Sequence, residues 1–154
     1  MAKKESKKLT EELLKAWMEM SIGIKGNRIL KELSFNEMVI CRILYQAEQE
    51  GQRITATDLC RRTRLLKSQV NKVLDDLEKR GLIYRDRDQE DRRRVFLRIR
   101  EENQRVYLEE HARVLSIVEQ VCGRLGKDES KSLVKKMNKV VAIMDELSDA
   151  QGKA

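Results

Sequence analysis

Residues 54–100, ITATDLCRRTRLLKSQVNKVLDDLEKRGLIYRDRDQEDRRRVFLRIR, decide the fold. Within them Val70, Val73, Leu74 and Leu77 recur at i, i+3, i+4 and i+7, so residues 67–80 read as an amphipathic helix. Its opposite face carries Lys67, Ser68, Gln69, Asn71 and Lys72. Gly81 stops the helix, as a glycine just past a helix end does. Val95, Leu97 and Ile99 then alternate with Arg94, Phe96, Arg98 and Arg100, the period of a half-buried strand, and residues 82–87 supply its antiparallel mate. The polar run Asp88-Gln89-Glu90-Asp91-Arg92-Arg93 lies between the two. Upstream, residues 52–56 predict one short strand, and Thr57 is placed to cap a helix over 58–64. A strand, two helices and a basic hairpin, in that order, make a winged helix.

The segment holds fourteen Lys or Arg against eight Asp or Glu, +6 of the chain's formal +7. The excess charge therefore belongs to this element and not to the whole surface. A chain of 154 residues with 40% apolar content is about one domain, 1–154, with enough side chains for a core. Proline is absent, glycine numbers seven and 38% of residues are charged, which favours long amphipathic helices. The expected class is mainly α with a small β wing. A basic chain suits a polyanionic partner, either nucleic acid or an anionic membrane. Membrane is the weaker candidate: the longest apolar run, 140–144, is far too short to span, and no charged-then-apolar leader opens the sequence, so a cytoplasmic protein is expected.

Cys41, Cys60 and Cys122 are widely spaced, with no C-x-x-C pair, so they predict neither a disulfide framework nor a structural metal site. They read as reduced thiols packed as small apolar groups. The only histidine, His111, sits between apolar neighbours with no Cys or second His at ligand spacing, and it reads as a core or interface residue. Metal, cofactor and catalytic machinery are not expected. One His and three scattered Cys supply no triad, and no Gly-rich phosphate loop is present.

Taken in order, residues 1–8 read as a frayed basic start. Leu9, Leu13, Trp17, Met20 and Ile24 then form a helical stripe that needs a partner surface. Ser34-Phe35-Asn36-Glu37 has the S-x-x-E form of a capping box, so a second helix should run from there to Gly51 with an apolar middle. From Glu101 the helical period returns with Leu108, Ala112, Leu115, Val118, Cys122 and Leu125. Asp128 is expected to cap a last helix whose Leu133, Met137, Val140, Met144 and Leu147 make an a/d seam flanked by Val134 and Val141. Segments 9–33 and 101–149 thus carry apolar stripes outside the winged helix at 34–100. A symmetric homodimer built from the chain ends is the economical way to cover them.

This order, with the run Leu77-Glu78-Lys79-Arg80-Gly81-Leu82-Ile83 and then Asp91-Arg92-Arg93 ahead of an alternating strand, resembles the MarR family of bacterial transcription regulators. The resemblance covers nearly the whole chain. It implies a homodimeric, ligand-responsive repressor or activator that binds palindromic operators in double-stranded DNA. By position it implies that residues 67–80 are the recognition helix, with Lys67, Ser68, Gln69, Asn71 and Lys72 towards the major groove. Arg93, between Arg92 and Arg94, would enter the minor groove from the wing tip, with Asp91 holding it. Chemistry agrees, since Asn and Gln pair bidentately with adenine, Lys reaches guanine, and arginine suits a narrow minor groove. Asp75, Asp76 and Glu78 would be repelled by phosphate, so only the first two turns should enter the groove. Two departures stand out: Leu66 occupies the position where a capping Ser or Asp is common, and the strand ends Ile99-Arg100 where Leu-Thr is common. In the family a small-molecule effector binds between the dimer helices and the winged helix. Trp17, Arg42, Tyr107 and His111 are the aromatic or polar groups in the helices concerned, and packing explains them equally well. The alternative to a DNA-binding regulator is a winged helix used for protein contacts, as an assembly subunit with no operator. A salt-sensitive shift of DNA would separate the two.

Overall fold

The computed structural model describes residues 1–26 and 29–152. The elements run α1 (Ala2–Lys25), α2 (Phe35–Gln49), α3 (Ala56–Thr63), α4 (Lys67–Lys79), β1 (Ile83–Arg87), β2 (Val95–Ile99), a 3-10 turn at Glu101–Asn103, α5 (Gln104–Leu125) and α6 (Lys127–Gly152). They fall into two compact units, Met1–Val114 and Leu115–Ala154. The class is the expected one, mainly helical with a two-stranded antiparallel wing.

In the first unit the core is the inner face of the winged helix. Ile40, Leu44, Leu59, Val70, Leu74, Leu77 and Ile83 are fully buried there, each contributing about 1.5–3 kcal/mol relative to exposure. α2 starts where the capping box puts it: the Glu37 N–H donates to Ser34 Oγ at 3.3 Å and the Ser34 N–H donates to Glu37 Oε2 at 2.7 Å. α4 ends in a Schellman turn, with Gly81 N–H to the Glu78 carbonyl and Leu82 N–H to the Leu77 carbonyl, both 2.9 Å. Gly81 has φ +70°, which a residue with a Cβ adopts only at a cost.

Several local expectations change. The start expected to be frayed is the first turns of α1, helical from Ala2, and ion pairs such as Lys8 with Glu12 follow on the next turn. The strand over 52–56 shrinks to one bridge, Ile54 to Leu97, with the Leu97 N–H donating to the Ile54 carbonyl at 2.7 Å. The reason is Thr55, which is the N-cap of α3 in place of Thr57 and turns the chain into the helix at once. The Thr55 N–H donates to Asp58 Oδ2 at 2.9 Å and the Asp58 N–H donates to Thr55 Oγ1 at 3.2 Å. Asp128 does not cap α6 from outside; it lies in the first turn beside Glu129, where both complement the helix dipole, and the Gly126 carbonyl accepts the Ser130 N–H at 3.0 Å.

The second unit is the C-terminal half of α5 and α6, joined at Gly126 with φ +84°. Its apolar side chains from Leu115 to Leu147, the expected seam among them, are largely open, eleven of them 40–61% exposed. On α1 the stripe of Leu9, Leu13, Trp17, Met20 and Ile24 is exposed too.

Candidate nucleic-acid interface

α3 and α4 are joined by Arg64, Leu65 and Leu66, and Arg64 closes α3 in the left-handed conformation at φ 59°. α4 buries Val70, Leu74 and Leu77 and half-buries Val73. Lys67, Ser68, Gln69 and Lys72 are exposed and Asn71 is half-buried on the other side. Leu66 has no side chain able to cap. Gln69 makes up half of the loss by folding back, so that the Leu66 N–H donates to its Oε1 at 2.9 Å. Gln69 therefore presents its amide NH2 outward while its oxygen is engaged.

The wing pairs Ile83 with Ile99 and Arg87 with Val95 at its two ends. Its tip is a turn. The Arg94 N–H donates to the Asp91 carbonyl at 2.9 Å, and the Arg93 N–H donates to Asp91 Oδ1 at 3.1 Å. Asp91 thus holds the backbone of Arg93, not its guanidinium. Extended geometry would have put the two side chains on one side, but a turn at 91–94 replaces it. Phe96 also departs from the alternation: it is 3% exposed, because the guanidinium of Arg53 covers its ring at 4.1 Å and that of Arg94 lies 5.3 Å away.

The basic residues sort into two sets. Some are tied to acids and hold the fold. Arg85 of β1 pairs with Asp75 at 2.9 Å and with Glu78, so it neutralises carboxylates of α4 that would repel phosphate. Arg80 donates to Glu37 at 3.2 Å and to the Glu32 carbonyl at 2.6 Å. Arg98 reaches Glu48 at 3.0 Å. Lys67, Lys72, Arg92 and the guanidinium of Arg93 have no ion-pair partner among the described residues, and all four residues are exposed. The surface offered by the first turns of α4 and by the wing tip is cationic, with its donors uncommitted.

Of the candidate effector residues, Tyr107 and His111 lie together on α5, ring centroids 5.7 Å apart, and Tyr107 packs on Tyr45 of α2 at 5.2 Å. Burial raises the Tyr107 pKa, and the positive charge of Arg42 pulls it back. Trp17 belongs elsewhere, in a shallow apolar groove of α1 with Leu14, Met18, Ser21 and Ile22. The Cys41 thiol is pushed up to about 12 by burial and by Glu37, with Arg80 opposing, so it stays protonated and unreactive.

Sequence reasoning missed Arg53 and Glu110. The latter is buried on α5 and accepts the N–H groups of Lys31 and Glu32 and the guanidinium of Arg113. No residue pattern announces such a carboxylate, because its partners are backbone amides far along the chain.

Residues 41–94 match the sequence model of the MarR family. The chain is similar in fold to BldR, a transcriptional regulator of Sulfolobus solfataricus, at 24% identity over 90% of this chain and 95% of that one, TM-score 0.69. FabT of Streptococcus pneumoniae, solved in complex with DNA, is 19% identical over 96% and 99%, TM-score 0.64. BpsR of Bordetella bronchiseptica, whose DNA binding is regulated by 6-hydroxynicotinic acid, is 19% identical over 85% and 91%, TM-score 0.70. No curated protein sequence matches. No described helix is long and apolar enough to cross a membrane.

Proposed function

We propose, from the premise that the chain belongs to the MarR family of winged helix-turn-helix regulators, that it is a sequence-specific double-stranded DNA-binding transcriptional regulator. It acts as a homodimeric, ligand-responsive repressor on palindromic operators. The observation that carries this reading is the pairing of two uncommitted cationic surfaces, the first turns of α4 and the wing tip, on a winged helix in which Arg85 neutralises the carboxylates farther along α4. Lys67, Ser68, Gln69, Asn71 and Lys72 read the major groove, and Arg92, Arg93 and Arg94 follow the neighbouring minor groove and its phosphates. A second copy covers the exposed faces of α1, α5 and α6 and sets two recognition helices one helical turn or a multiple of it apart. The effector binds beside Tyr107, His111 and Arg42, where rings and one guanidinium stand together. BpsR, similar in fold, supports control by a small aromatic acid.

The test is selection from a pool of random duplexes with the purified protein, followed by binding titrations at several salt concentrations. An enriched palindrome, bound with an affinity that falls linearly with log salt, is the expected result. Absence of both enrichment and salt dependence would replace this reading by a protein-docking subunit.

A further inference from the structure

Arg53 lies just before the bridge residue Ile54 in the α2–α3 connection, outside the recognition helix and the wing. Its guanidinium lies 4.1 Å above the Phe96 ring of β2, and Arg94 approaches the same ring at 5.3 Å. One buried ring therefore gathers two cations from separate parts of the chain. Stacking of this kind fixes the guanidinium plane and leaves its N–H fork pointing outward, the geometry that suits phosphate. Among the described residues the one carboxylate within ion-pair distance of Arg53 is Asp88, whose Oδ2 lies 3.6 Å from Arg53 Nη1, outside hydrogen-bond range. The Asp88 carboxylate also accepts the Glu90 N–H at 3.2 Å, so it is partly committed to the tip. Neither guanidinium makes a hydrogen bond among the described residues, and the Arg53 side chain is 59% exposed. Arg80, Arg85 and Arg98, in contrast, are hydrogen-bonded to carboxylates.

We propose that Arg53 and Arg94, gathered on the Phe96 ring, form a phosphate-binding site for the DNA backbone beside the tip end of the wing. This rests on the DNA-binding reading above and adds a contact from the α2–α3 connection. Two guanidinium groups beside one carboxylate leave a local charge of +1, enough to hold a phosphodiester and to release the cation condensed on it. The site carries no base information; it fixes how deeply the wing sits.

Titrations of a labelled random-sequence duplex of about 30 base pairs, at four potassium chloride concentrations, test it. Arg53→Ala and Arg94→Ala should each lower the slope of log affinity against log salt by about one and weaken binding several-fold at low salt. Arg53→Met, which keeps a long stem over Phe96 without the charge, should behave as Arg53→Ala. Lys8→Ala, which removes a cation already paired on α1, should leave the slope unchanged. Circular dichroism confirms that each variant is folded. A wild-type slope for Arg53→Met would mean that Arg53 only props the wing, and a wild-type slope for Arg53→Ala would remove it from the interface; either overturns the site while leaving the DNA-binding reading intact. Wild-type protein that bound no duplex at any salt would overturn both.

Discussion

Glu110 and Lys31, far apart in sequence, are joined by both carboxylate oxygens: the Lys31 N–H lies 3.2 Å from Oε1 and 3.1 Å from Oε2 of a side chain only 1% exposed. Oε1 also takes the Glu32 N–H at 3.1 Å, and the carbonyl of that residue accepts from Arg80 at the end of α4. The segment at 31–32 is thus held on its donor side by α5 and on its acceptor side by Arg80 at the end of α4.

Removing that buried carboxylate leaves two backbone donors and the Arg113 guanidinium without their acceptor. Glu110→Ala should cost about 3 kcal/mol, at the level of one to three per orphaned donor. Glu110→Gln keeps one oxygen and should cost about half as much. Urea unfolding of the three proteins checks it, and equal midpoints would mean that water replaces the carboxylate without loss.

Asp58 gives a pH dependence with a definite sign. The Thr55 N–H donating to its carboxylate, helped by the Thr55 hydroxyl and the charges of Arg61 and Arg62, holds its pKa below the ordinary 3.8 against the opposing effect of burial. A folded-state pKa below the unfolded one means stabilisation that is present above about pH 4 and lost as pH falls through the lowered value. The stability gap between wild type and Asp58→Ala should therefore be constant from pH 7 to 5 and narrow below pH 4. Urea midpoints across that range are the measurement, and a gap that widened in acid would reverse the assignment.

These positions show where the sequence is legible. Ser34 and Glu37 were readable as a cap because both partners lie within four residues, and the stripe of α4 was readable because its burial repeats with the helix. Thr55 and Asp58 form the same kind of box. They are not legible as one because Ile54 and Thr55 also fit a strand, and one backbone bridge to Leu97 cannot be told from a ladder by residue type. Phe96 looked outward because alternation assumes one dry face; its cover comes from Arg53, whose place beside the wing is set by tertiary folding. Gln69 had a base-reading appearance that conceals a local duty, since an N3 glutamine can reach back to an N-cap amide whatever residue stands there.

That double duty separates Gln69 from Asn71. Asn71→Ala removes a half-buried amide that makes no hydrogen bond among the described residues, and should lower discrimination between cognate and scrambled duplex by about 1–3 kcal/mol with the unfolding midpoint little changed. Gln69→Ala should lower discrimination and also lower stability by about 0.5–1 kcal/mol, because the Leu66 N–H loses its acceptor. Full discrimination in Asn71→Ala would show that the exposed side of α4 does not read bases.

The open apolar faces predict assembly. Deleting residues 128–154 removes most of the exposed seam of the second unit, including Leu133, Met137, Val140 and Leu147. The shortened chain should be monomeric by light scattering and should bind operator weakly, since a single half-site carries about half of the contacts. A truncated protein that stayed dimeric would place the interface elsewhere.

The wing tip gives the sharpest comparison. Because Asp91 Oδ1 accepts the Arg93 N–H and the Asp91 carbonyl accepts the Arg94 N–H, the residue shapes a turn that projects Arg93 and does not neutralise it. Arg93→Ala should cost operator binding about 1–3 kcal/mol, by removing the group proposed to enter the narrow groove. Asp91→Ala should cost less, by loosening the turn. Asp91→Asn should retain the turn, since an amide oxygen accepts the same N–H, and should bind at least as tightly as wild type because a negative charge has left the phosphate surface. Arg100 is a poor control, because its guanidinium lies over Tyr84 at 5.4 Å and pairs with Glu102 at 3.7 Å. Lys8 is a better one. Titrations of labelled operator at two salt concentrations decide the matter: Asp91→Asn weakened as much as Arg93→Ala would mean that the carboxylate charge itself, through the Arg93 guanidinium, positions the wing.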